Sequence, residues 1–247
     1  MTSTLECVVI SMPARIDRRT AVTQNMAGFQ YPWQFFDACV GDSPSPWRID
    51  EKRSIKLYGR PLLSGEIGCA KSHLAVIRQF CDHSTSDWLL VFEDDVWVDC
   101  DFDFADLAAL CERNAIGYIR LYARNWKKAV HLGVWRARTI VRFLSDPYGA
   151  QGYLINRRAA REFLASISAI ELPIDDEFGR FWVNGLVPYA VFPFPIIERE
   201  SPSSLEAGRV AHDRRLPLRG QITRISSKIR KTWANARFRL THPPLNL

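Results

Sequence analysis

The chain contains no stretch of about 18 consecutive apolar residues, which excludes a simple membrane-spanning helix. Its start, MTSTLECVVISMPAR, has no basic leader followed by a long apolar core, so a secretory signal is not expected and the protein is expected to stay in the cytoplasm. CxxC pairs are missing, and no histidine stands at zinc-finger spacing from Cys7, Cys39, Cys69, Cys81, Cys100 or Cys111. Scattered cysteines of this kind are expected to be reduced and mostly buried, not a disulfide framework. Internal repeats and low-complexity segments are also lacking. Acids are absent from residues 214–247, which carry nine Lys or Arg. Of the 33 basic residues, 24 therefore remain against 27 acids in residues 1–213, so the net charge of +6 resides in the tail.

What is present suffices for one well-buried domain: 247 residues, 47% of them hydrophobic. The expected division is a domain over 1–213 and a basic tail over 214–247. LECVVIS reads as a strand, PARIDRRTAVTQNMAGF as a helix from near Pro13 to near Gly28, and WQFFDACVGDSPSP as a second strand entering a loop. Residues 48–64 read as a surface loop or short helix. In SGEIGCAKSHLAVIRQFCDH, Ser64 is a plausible N-cap, and Ile67, Ala70, His73, Leu74, Ile77 and Cys81 share one helical face. A buried strand, WLLVF, follows, then a helix over Phe104 to Glu112. Further strands are expected at GYIRLYA, TIVRFL, AQGYLIN and PYAVFPFPII. Alternation of strand and helix predicts a mainly parallel sheet with helices on both faces.

The buried strand runs directly into Glu93, Asp94 and Asp95. In extended backbone Glu93 and Asp95 point to one side and Asp94 to the other. At the carboxyl edge of a parallel sheet, where open α/β folds bind ligands, such oxygens suit Mg²⁺ or Mn²⁺ bridging to phosphate. A solvated turn whose acids cap the next element is the alternative.

SGEIGCAKSHLAVIRQF followed by LLVFEDDV resembles the paired signature of glycosyltransferase family 25, the lipopolysaccharide and lipooligosaccharide galactosyltransferase family that includes collagen-modifying relatives. VVISMPARIDRR, WQFFDACVGD, YGAQGYLINRRAAREFL and LPIDDEF are similar to further family blocks, in family order over about residues 5–200. The resemblance implies a GT-A fold, a Rossmann-like α/β domain that binds a nucleotide sugar, usually UDP-galactose, with Mn²⁺ or Mg²⁺. It makes Glu93, Asp94 and Asp95 this chain's version of the DxD motif, with Asp95 as direct metal ligand and Glu93 near the ribose or metal-bound water. It also implies inversion by a single displacement, with Asp175 or Asp176 as general base and Asp175 favoured because it matches the acid of the family's PVD element. A helix N-terminus is the structural alternative for both acids. Two departures bear on the donor: the first acid of the motif is Glu, and GAQGY stands where relatives commonly carry a small hydroxyl residue before Tyr.

Other candidates for donor contact are Arg15 and Arg18 after the first strand, Asp37 in FFDA, and Lys71 and His73 on the GCAKSHLA helix. Arginine suits bidentate phosphate contacts, while a histidine on an apolar helix face is more often a core residue. In the tail, Ile222, Ile225, Ile229, Trp233, Ala236 and Leu240 recur at three- or four-residue spacing among basic residues. This is the pattern of an amphipathic helix lying on an anionic membrane, which suits a glycolipid or oligosaccharide acceptor on the inner face of the cytoplasmic membrane; a helix docked on the protein and nonspecific nucleic-acid binding are the alternatives. No specific nucleic-acid contact is expected. Within the enzyme class, glucosyl- or N-acetylglucosaminyl transfer is the nearest alternative; a metal-dependent phosphohydrolase and a non-catalytic scaffold lie outside it.

Overall fold

The computed structural model describes residues 4–199, 218–241 and 244–246. The N-terminal half follows the strand–helix alternation of the sequence: β1 (Leu5–Ser11), α1 (Ile16–Asn25), β2 (Trp33–Asp37), α2 (Glu51–Tyr58), α3 (Ser64–His83) and β3 (Trp88–Glu93). After β3 come β4 (Val96–Val98), α4 (Phe104–Arg113), β5 (Tyr118–Arg120), β6 (Ala129–Trp135), β7 (Arg138–Phe143) and β8 (Gly152–Asn156). The chain continues through α5 (Arg157–Ser166), α6 (Ile174–Phe178), α7 (Phe181–Asn184), β9 (Tyr189–Phe192), β10 (Ile196–Glu198) and α8 (Leu218–Thr241).

Eight strands form one sheet in the order β2-β1-β3-β8-β5-β9-β7-β6, and β10 pairs with β4 in a small second sheet. The large sheet is mixed, which corrects the expectation of a mainly parallel one. Only β1 with β2, β1 with β3, and β5 with β9 run parallel; β8 is antiparallel to both β3 and β5, and β7 to both β6 and β9. The reason lies in the connections. No helix separates β5, β6, β7 and β8, and parallel neighbours need a crossover of a dozen or more residues.

Alternation along the central strands builds two apolar layers. Val9, Leu90 and Phe92 pack with Val22 of α1 and with Phe104 and Leu107 of α4. Val8, Ile10, Leu89 and Val91 pack with Leu74 and Ile77 of α3 and Phe163 of α5. The strand Trp88–Phe92 is wholly enclosed, as its continuous apolar run requires. At the start of α3 the cap is the backbone of Leu63, not Ser64: Leu63 N–H donates to Glu66 Oε2 at 2.9 Å. Glu66 is in turn gripped by Arg60 at 2.8 Å.

The C-terminal helix docks on the domain through one face. Asn235 bonds to Arg142 and to the Leu144 carbonyl, Phe238 packs against Tyr189, and Lys231 approaches the Trp182 ring. At 100° per residue that face lies opposite Ile225, Ile229 and Trp233, which are 58%, 54% and 74% exposed. The predicted apolar stripe is thus not the docking face. The side chain of Ile222 lies outside the described residues.

Candidate active site

β1, β2 and β3 run parallel and finish side by side, with Ser11 opposite Asp37 and Ile10 opposite Glu93. Their carboxyl ends and the first turn of α3 surround a cavity of about 500 Å³. Its wall includes Ser11, Arg15, Arg18, Cys39, Gly68, Cys69, His73 and all three acids of the turn. Gly68 lets the loop after β2 close this wall: a Cβ there would sit 2.6 Å from the Cys39 carbonyl oxygen. The same holds at Gly41, where a Cβ would lie 2.7 Å from the Ser64 carbonyl oxygen.

Strict alternation of the acids does not survive, because β3 stops at Glu93 and the chain turns at Asp94 and Asp95 before β4. Glu93 reaches toward α3, where His73 Nε2 lies 3.1 Å from its Oε1. Burial would raise the Glu93 carboxyl, but the hydrogen bond and charge of His73, with Arg124 and Cys69, together hold the group below its ordinary range. His73 is fully buried, and its Nδ1 lies 3.1 Å from the hydroxyl of buried Tyr153. Asp94 turns toward β1: Ser11 Oγ donates to its Oδ2 at 2.7 Å and Arg18 Nη1 to its Oδ1 at 2.8 Å. The same Arg18 nitrogen stands 3.6 Å from Asp95 Oδ2, so one guanidinium serves both acids.

Asp95 differs from its neighbours. Among the described residues its Oδ1 is buried with no hydrogen-bond partner. Burial first, then the charge of Glu93, push this carboxyl up to about 7 despite Arg18, with Asp94 and Glu198 adding to the rise. A buried carboxylate oxygen without a partner is costly, and a hard divalent cation is the partner its chemistry fits. Because Asp94 is committed to Ser11 and Arg18, and Glu93 to His73, most of a cation's remaining oxygen ligands would have to come from phosphate or water.

The other predicted residues divide by position. Arg15 lines the cavity, with its guanidinium 2.8 Å from exposed Asp17, a pairing that solvent weakens. Lys71 lies outside the cavity wall; its ammonium donates to the Gly41 and Ser43 carbonyls at 2.6 Å each and ties down the loop after β2. Asp37 is also outside the wall, exposed, and paired with Arg19. Asp175 and Asp176 stand in the first turn of α6, where the Asp176 N–H donates to Asp175 Oδ1 at 3.1 Å. Neither lines the cavity, yet the field of Asp175 reaches Arg124, which also feels Glu93.

Sequence reading missed the group that links these two acidic regions. Glu198, at the end of β10, accepts from Tyr122 Oη at 2.6 Å, Arg124 Nη2 at 2.9 Å and Gln151 Nε2 at 3.3 Å. Burial would lower the Arg124 guanidinium, but Glu198 above all, then Tyr122, Asp175 and Glu93, hold it above its ordinary value. Nothing in IIERE or LYAR marks these residues locally; only the antiparallel pairing of β10 with β4 brings Glu198 beside the acid turn.

The model of glycosyltransferase family 25 (LPS biosynthesis protein) matches residues 4–178, which include the cavity wall and the acid turn. The chain belongs to glycosyltransferase family 25. This family 25 chain is 25% identical to the lipooligosaccharide biosynthesis protein lic2B of Haemophilus influenzae, over 66% of its own length and 63% of that protein. It is 29% identical to the lacto-N-neotetraose biosynthesis glycosyltransferase LgtB of Neisseria meningitidis serogroup B, over 66% of its length and 62% of LgtB. The chain spans just under two thirds of the length of each of these two relatives. Among solved structures, a Drosophila β1,4-galactosyltransferase 7 variant with manganese, UDP-Gal and xylobiose is similar at a TM-score of 0.40 and 9% identity, over 86% of this chain and 81% of that one.

Proposed function

We propose that this family 25 enzyme is an inverting, GT-A type transferase that moves galactose from UDP-galactose onto a lipooligosaccharide or lipopolysaccharide core acceptor, with Mn²⁺ or Mg²⁺ held at Asp95. One observation carries the reading: among the described residues, Asp95 has a buried oxygen without a hydrogen-bond partner at the carboxyl edge of three parallel strands, in the wall of a cavity of about 500 Å³. Open α/β sheets bind nucleotides at such edges. The relatives' roles in lipooligosaccharide and lacto-N-neotetraose biosynthesis support the acceptor class.

When bound, the cation supplies positive charge for the oxygens of the departing diphosphate. Arg18 fixes Asp94 and steadies Asp95, and Ser11 fixes the other oxygen of Asp94. Arg15 offers a guanidinium to the diphosphate from the cavity wall. Asp175 takes the proton from the acceptor hydroxyl as it attacks the anomeric carbon from the face opposite the leaving group. Residues 1–213 form the catalytic domain. In the tail, residues 214–247, the helix Leu218–Thr241 has exposed Ile225, Ile229 and Trp233 that enter an anionic membrane, with Lys228, Arg230 and Arg237 close to its headgroups.

Incubation with Mn²⁺, a lipooligosaccharide acceptor and a panel of UDP-sugars tests the reaction. Acceptor-dependent UDP release fastest with UDP-galactose is expected; faster release from UDP-glucose or UDP-N-acetylglucosamine reassigns the donor, and acceptor-independent phosphate release overturns transfer. For the helix, Ile229→Glu with Trp233→Glu should abolish sedimentation with phosphatidylglycerol vesicles without changing the melting temperature, and unchanged sedimentation rules out that surface.

A further inference from the structure

We propose that Cys69, His73 and Glu93 form a zinc site in the cavity wall, chemically distinct from the all-oxygen position at Asp95. Cys69 and His73 are four residues apart on α3 and so share a face. Glu93, at the end of β3, meets them from the sheet: Cys69 Sγ is 3.8 Å and His73 Nε2 is 3.1 Å from its Oε1. All three donor atoms lie within 4.8 Å of one another. Around a tetrahedral zinc with bonds of about 2.0–2.3 Å, neighbouring donors stand roughly 3.3–3.6 Å apart. Small side-chain rotations therefore convert this hydrogen-bonded triad into a coordination shell.

Three further features suit a metal. His73 Nδ1 contacts the buried Tyr153 hydroxyl at 3.1 Å, the kind of outer contact that orients a metal-binding imidazole and leaves Nε2 for the ion. Sulfur, nitrogen and oxygen together favour Zn²⁺ over Mg²⁺ or Mn²⁺. All three residues line the cavity, so the fourth tetrahedral position faces space that water or a phosphate oxygen can fill. As zinc binds, the Cys69 thiol proton passes to solvent, and the His73 ring proton moves from Nε2, where it bonds Glu93, to Nδ1, which then donates to the Tyr153 hydroxyl.

The test is zinc affinity of the full chain, measured by competition with a chromophoric chelator. Wild type should bind about one equivalent, Cys69→Ser should bind about tenfold more weakly or worse, and Asp95→Asn should match wild type. Zinc should also slow alkylation of Cys69, mapped by mass spectrometry, and leave Cys39 unaffected, a readout that needs no variant. Wild-type affinity in Cys69→Ser, loss of zinc in Asp95→Asn, or unchanged Cys69 alkylation would each overturn the site.

Discussion

The two halves of the large sheet bury charge to different ends. In the antiparallel half, Arg142 is 1% exposed; it donates to Asn235 at 2.8 Å and lies 3.8 Å from the centre of the Phe238 ring. Arg120, equally buried, donates to the Gly149 carbonyl and approaches Asp146 at 3.4 Å. These guanidiniums face protein and join the sheet to a loop and to α8. In the parallel half, Arg18 faces a cavity and holds two acids at its rim, and one oxygen of Asp95 is buried without a partner among the described residues. Burial of charge is therefore not by itself the mark of a site; burial in a cavity wall with a carboxylate oxygen left unbonded among the described residues is.

The sharpest break between the halves should come from kinetics. Asp175→Asn is expected to lower kcat by about 10²–10⁴-fold while UDP binding stays near wild type; near-normal turnover removes Asp175 from the base role. Arg142→Met should do the reverse, lowering the melting temperature through a loss of about 1–3 kcal/mol while kcat measured well below the transition changes little. A large loss of kcat in Arg142→Met would erase the contrast.

A smaller effect concerns pH. The folded state holds the Asp95 proton up to about 7 and the Asp146 proton up to about 6, against an ordinary value of 3.8. Both carboxyls therefore contribute stability that is full below about pH 4 and is lost as pH rises through 6 and 7, since the folded state binds more protons than the unfolded chain. In EDTA, the melting temperature of wild type relative to Asp95→Asn should fall between pH 4 and 7. A constant difference across that range would show that Asp95 ionises normally.

The parallel half was the more legible in sequence, and the reason is physical. LECVVIS and WLLVF are apolar runs of strand length, the α3 pattern repeats at helical spacing, and the acids after WLLVF stand out because a core strand has no packing use for them. The antiparallel half was less so: β4 and β10 are three residues each, and β6 carries an irregular register between His131 and Gly133. Short strands take their partners from tertiary contacts, and for that reason Glu198 and Arg124 escaped notice. Lys71 shows the converse. Its position on the signature helix pointed to phosphate, but the loop after β2 offers two carbonyls within reach of the ammonium. In the tail, spacing identified the apolar stripe but not the opposite face, where Asn235 and Phe238 dock.

We propose that the Asp95 oxygen left without a partner among the described residues seats a divalent cation that neutralises the donor's diphosphate. Calorimetric titration of UDP into wild type and Asp95→Asn, each with and without Mn²⁺, tests it most directly. Mn²⁺ should tighten UDP binding to wild type by about tenfold or more and have no effect on Asp95→Asn; equal tightening in both proteins would contradict the account.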